Sequence, residues 1–95
     1  MIVIGQDFRL TLDTEIDITG ATTANIRYVK PSGAEVSVAG TIIDITKVYF
    51  DVTPAINDTE GKWKFRADIV LGGLQYFSKP AFLNIRNSWY PWTNP

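Results

Sequence analysis

Apolar and polar residues alternate with a period of two along most of this chain. The clearest run covers residues 61–69. Trp63, Phe65, Ala67 and Ile69 fall on one side of an extended backbone, and Lys62, Lys64, Arg66 and Asp68 on the other. A strand places successive side chains on opposite faces, so this stretch has one apolar and one charged face. Burying Trp63 and Phe65 is worth several kcal/mol at about 25 cal/mol per Å². Other strands must therefore bring apolar faces of their own to this one.

Ile2 and Ile4 alternate before Gly5-Gln6-Asp7, and Phe8, Leu10 and Leu12 alternate after it. This predicts one strand interrupted at Gly5 or two short pieces. Ala24, Ile26 and Tyr28 predict a second long strand, ended by the Lys30-Pro31-Ser32-Gly33 turn. Val36 and Val38 mark a third strand, Ile43 and Ile45 a fourth, and Val48, Phe50 and Val52 a fifth. Gly72-Gly73 predicts a two-residue hairpin that sets Leu71 opposite Leu74, Tyr76 opposite Ile69 and Ser78 opposite Ala67. Beyond it Ala81, Leu83 and Ile85 carry the apolar positions, so the inward parity switches near Lys79-Pro80. A bulge there turns Phe77 and Phe82 to the opposite face, partly exposed or under another subunit. No segment has a helical period. About seven antiparallel strands with turns every 8–12 residues predict an all-β, immunoglobulin-like β-sandwich over residues 1–86, with a small barrel as the alternative. The predicted core joins Trp63, Phe65 and Ile69 to Ile26, Tyr28, Phe50 and Leu83.

Composition supports strands. Val, Ile and Thr number 28 against 12 for Ala and Leu, an excess of β-branched residues. Ninety-five residues make one domain with one core. A net charge of −1 gives no reason to expect nucleic acid or an anionic membrane as partner. No apolar run approaches the ~20 residues that span a bilayer. The N-terminal Met-Ile-Val-Ile-Gly-Gln-Asp lacks the basic region of a signal peptide.

The absence of His and Cys removes Ser-His-Asp triads, thiol nucleophiles, disulfides and His- or thiolate-based zinc sites. Paired carboxylates remain, but so small a domain has little material for a cleft beside its core. No catalytic residue, cofactor or metal site is therefore expected. Asp13, Glu15 and Asp17 lie two apart, yet lack the Gly and terminal Glu of an EF-hand loop and read as a charged turn. A Lys–Asn crosslink would need a lysine facing the core, and the first strand offers Arg9 instead. Lys62, Lys64 and Arg66 form a basic row that reads as a solvated face or as a contact for an acidic partner.

Residues 87–95 read as a separate aromatic and proline-rich tail. Trp89, Tyr90 and Trp92 sit among Pro91 and Pro95, which cannot donate to a ladder. The tail can cover an open edge of its own sandwich, anchor in a neighbouring protein, or stack on sugars.

Gly5-Gln6-Asp7-Phe8, Ile16-Asp17-Ile18-Thr19-Gly20-Ala21, Lys30-Pro31-Ser32-Gly33 and the run from Gly61 through Trp63 and Phe65 to Ile69 follow in an order that resembles an immunoglobulin-like module of tailed-phage virions. It is similar to the N-terminal domain of the baseplate upper protein family of Gram-positive phages, over most of residues 2–86. The resemblance implies a non-enzymatic structural or docking role in the tail, baseplate, neck or head surface, in a virion assembled in the host cytoplasm. The implied partners are other virion proteins or further copies of the chain, in either a free-standing protein or one domain of a longer one. Trp89, Tyr90, Trp92, Phe77 and Phe82 are the expected partner-binding residues. A carbohydrate-binding or adhesin module is the alternative. The segment from Gly61 to Phe65 also resembles the tyrosine-corner strand of antibody domains, with Trp63 for Tyr and Phe65 for Cys. Asp58, however, stands one residue too far from Gly61 for that pattern.

Overall fold

A computed structural model describes residues 2–86. Nine strand segments form two sheets: β1 (Ile2–Val3), β2 (Phe8–Asp13), β3 (Thr23–Val29), β4 (Glu35–Ala39), β5 (Thr41–Ile42), β6 (Lys47–Val52), β7 (Gly61–Leu71), β8 (Leu74–Phe77) and β9 (Ala81–Arg86). The larger sheet runs β1-β9-β7-β3-β4, with β8 also on β7, and the smaller runs β2-β6-β5. Seven strands have four residues or more. β1 pairs in parallel with β9 and every other pairing among the described residues is antiparallel. The order matches an immunoglobulin sandwich: β2, β6 and β5 stand where strands B, E and D lie, and β3, β7 and β9 where C, F and G lie.

The alternation read from the sequence decides which side chains meet between the sheets. Trp63, Phe65, Ala67 and Ile69 of β7 are buried with Ile26 and Tyr28 of β3, and Leu12, Val48, Phe50 and Val52 face them from the small sheet. Leu83 is half-buried against this cluster. Tyr28 stacks on Trp63 at 5.8 Å and on Phe50 at 6.0 Å, so one ring joins both sheets. The Trp63 indole N–H donates to the Thr59 carbonyl at 2.8 Å. A tyrosine corner makes the same backward bond from the same strand, two residues before the core position held here by Phe65. The indole thus does the work of the phenol, and the altered spacing of Asp58 is tolerated. Asp58 itself accepts from Lys30 Nζ at 2.6 Å.

The first strand divides at Gly5. Asn57 closes the gap: its buried Nδ2 donates to the carbonyls of Val3 and Gln6 at 2.7 and 2.9 Å. This lets β1 and β2 belong to different sheets. The chain crosses between sheets again at Gly40, where a Cβ would lie 2.6 Å from Val48 Cγ2 and 3.0 Å from the Ala24 carbonyl.

The predicted fourth strand is corrected. β5 ends at Ile42, and Ile43, Asp44, Ile45 and Thr46 make the turn into β6. Ile42 opposes Val48, so the chain must reverse within the five residues between them. Alternation of isoleucines imitates a strand where a hairpin needs a loop.

Gly72 and Gly73 hold φ of 60° and 79°, as a type I′ turn requires, and Leu71 opposes Leu74 with Ile69 opposite Tyr76. Ser78 N–H donates to the Ala67 carbonyl at 3.1 Å, while Ala81 opposes Phe65. Lys79 and Pro80 therefore face the single residue Arg66, a bulge that shifts the register by one.

Phe65→Ala is expected to cost about 3–5 kcal/mol in chemical denaturation, as truncation of a fully buried aromatic does. A loss below about 1 kcal/mol would contradict its place between the sheets. The Lys30 hydrogen bond, with help from Thr59, lowers the Asp58 pKa. The unfolded carboxylate, near pH ~4, then protonates before the folded one. The stabilisation is complete above that pH and is lost as pH falls through the lower folded value. Asp58→Asn should remove this part of the acid-induced loss, measured as the denaturation midpoint from neutral pH downwards. An unchanged pH profile would mean that the pair contributes nothing.

Candidate docking face

The bulge sets the site. A one-residue slip sends every later side chain to the other face of a sheet. Phe77 opposes Asp68 before the slip and Phe82 opposes Lys64 after it. Both rings consequently point outward from the large sheet, beside the outward row Lys62, Lys64 and Arg66. They are 47% and 56% exposed, a large apolar area on a face whose neighbours are charged.

The pairing of β3 with β7 adds Arg27 to this face, directly opposite Arg66. Two cations at that spacing repel unless carboxylates separate them. Asp68 accepts from Arg27 Nε at 2.9 Å and from Gln75 Nε2 at 2.8 Å. Glu35, from β4, accepts from Arg27 Nη1 at 3.1 Å and lies 3.7 Å from Arg66. The bonds to Glu35 and then Asp68 push the Arg27 guanidinium above its already high pKa. Asp68 is buried, so its charge is spent on Arg27 and not on solvent.

The cations also sit on the rings. Arg66 Cζ lies 4.2 Å and Arg27 Cζ 5.6 Å from the Phe77 centroid, and Lys62 Nζ lies 4.7 Å from that of Phe82. These are cation–π distances. Lys64 stands directly opposite Phe82, with no ion pair among the described residues. Beside it a depression of about 220 Å³ opens between Arg27, Val29, Glu35, Lys64, Ser78 and Pro80. Around the two rings Arg27, Lys62, Lys64 and Arg66 stand against Asp68 and Glu35, a local excess of two positive charges on a chain whose net charge is −1. Such a surface offers two apolar anchors and unspent positive charge, which is recognition chemistry.

Phe77 and Phe82 therefore stand on one face, as the parity switch predicts. Trp89, Tyr90 and Trp92 lie outside the described residues. Asp13, Glu15 and Asp17 do not converge. The carboxylate oxygens of Asp13 and Asp17 accept from the N–H groups of Glu15 and Thr19, each at 2.9 Å, and Glu15 pairs with Lys79 at 3.4 Å. Among the described residues no group of three acidic, His or Cys side chains is placed to hold a metal. Sequence reasoning missed Arg27 and Glu35. Their place depends on the register of β3 against β7, a non-local pairing that alternation alone does not set.

Phe77→Ala and Phe82→Ala should each cost about 1 kcal/mol or less, because both rings are half in water. Asp68→Ala should cost about 1–3 kcal/mol by stranding the donors of Arg27 and Gln75. Urea denaturation of the three variants checks the contrast. A large loss for either Phe would make it a core residue and end the docking assignment.

No family model and no curated protein matches the chain.

Proposed function

We propose that this chain is a non-enzymatic docking module of a tailed-phage virion, acting through protein–protein contacts made by the outer face of its large sheet. The observation that carries the docking role is the bulge at Lys79-Pro80, which turns Phe77 and Phe82 outward beside four cations. A solvated sheet face has no use for two half-exposed phenylalanines. Aromatic and arginine side chains held in place by neighbours lose little entropy on docking and supply most interface energy. The virion assignment rests on the order of turn and strand motifs and on the sandwich that they specify. The aromatic tail, with Trp89, Tyr90 and Trp92, also serves attachment in this proposal.

A sugar-binding role needs open ring faces for stacking. The cations over Phe77 and Phe82 compete for those faces, which favours protein over carbohydrate.

Purified virions should contain the chain in fixed stoichiometry. The Phe77→Ala/Phe82→Ala double variant and a chain lacking residues 88–95 should remain folded by circular dichroism yet fail to incorporate. Absence of the chain from gradient-purified virions would end the virion assignment. Normal incorporation of the double variant would end the assignment to this face.

A further inference from the structure

We propose that the docking face takes a second copy of this chain, presented through the turn between β5 and β6; this rests on the face being a protein-binding surface. Ile43 and Ile45 of that turn are 50% and 60% exposed. They are held out by a defined frame, since Ile18 N–H donates to the Ile45 carbonyl and Thr14 N–H to the Thr46 carbonyl, each at 2.7 Å. Asp44 lies between the two isoleucines in the chain, and the Ile18 bond brings the segment containing Asp17 alongside the turn. Both carboxylates are exposed, and neither has an ion pair among the described residues.

The two surfaces are complementary in kind. One carries two phenylalanines among cations, and the other carries two exposed isoleucines with Asp44 and Asp17, whose carboxylates accept backbone N–H bonds from Ile45 and Thr19 respectively. Among the described residues Lys64 has no acid partner, and Asp17 and Asp44 have no basic one. Among the described residues the two surfaces of one molecule cannot meet. The turn belongs to the small sheet, whereas the phenylalanines point away from that sheet on the outside of the other. The contact is therefore intermolecular and heterologous, each copy giving one surface and receiving the other. Such contacts close into rings when the rotation allows and otherwise run on as filaments. The same complementarity explains why Ile43 and Ile45 stay apolar in a loop that does not bury them.

Sedimentation velocity of the full chain should show assemblies larger than a monomer at low ionic strength that shrink as salt rises. Lys64→Glu/Arg66→Glu and Asp17→Lys/Asp44→Lys should each abolish assembly. The chain carrying all four reversals should regain it, because the swapped charges match again. If the reversals at the turn disturb folding, Ile43→Ser/Ile45→Ser tests the same surface without altering charge and should also give monomers. A monomeric wild-type chain at every salt concentration, or assembly indifferent to both turn variants, overturns the self-docking proposal. If the turn variants enter virions normally while the Phe77→Ala/Phe82→Ala variant does not, the face docks a different protein. The proposed function then stands and this inference falls.

Discussion

The hydrogen bond from the Trp63 indole N–H to the Thr59 carbonyl is the constraint on which the sandwich depends. A tryptophan can be fully buried at low cost when its N–H finds a partner. Thr59, four residues earlier, supplies one and fixes the loop that enters β7. The ring then stacks against Tyr28 and Phe65 at 5.8 and 6.1 Å, and Tyr28 reaches Phe50 of the opposite sheet. Lys30 covers the Trp63 ring at 5.3 Å while pairing with Asp58 of the same loop. One corner thereby ties the loop, the long strand and both sheets together.

A second constraint converts this frame into a surface. Pro80 cannot donate to the β7 ladder, and the bulge that accommodates it changes the register by one residue. Without the slip, Phe82 would turn inward and Leu83 outward. With it, Phe82 joins Phe77 outside, and Ala81, Leu83 and Ile85 line up inside. Core packing and docking chemistry are thus set by the same irregularity in one edge of the sheet.

Most of the fold was legible in the sequence, because its signals were local. Alternation in β7, the Gly72-Gly73 turn and the parity switch at Lys79-Pro80 each needed a few neighbouring residues. Ile43 and Ile45 misled for the same reason: alternation is a local pattern, and the hairpin that overrides it depends on β5 pairing with β6. The site was half legible. Phe77, Phe82 and the Lys62–Arg66 row follow from parity along one strand. Arg27, Glu35 and the buried bridge through Asp68 depend on which residue of β3 faces which residue of β7, and only the folded sheet fixes that. The division of Ile2–Leu12 between two sheets is likewise non-local, because it depends on Asn57 bridging the gap from 51 residues or more away.

The outer face of the large sheet is the centre of this account, and hydroxyl-radical footprinting tests it most directly. The free chain and the chain within its assembly would be labelled side by side and each modified side chain quantified by mass spectrometry. Phe77 and Phe82 should be reactive when free and protected when assembled, while Tyr49 on the outside of the small sheet keeps its reactivity. Unchanged labelling of both phenylalanines in an assembly that protects the small-sheet face would contradict the account.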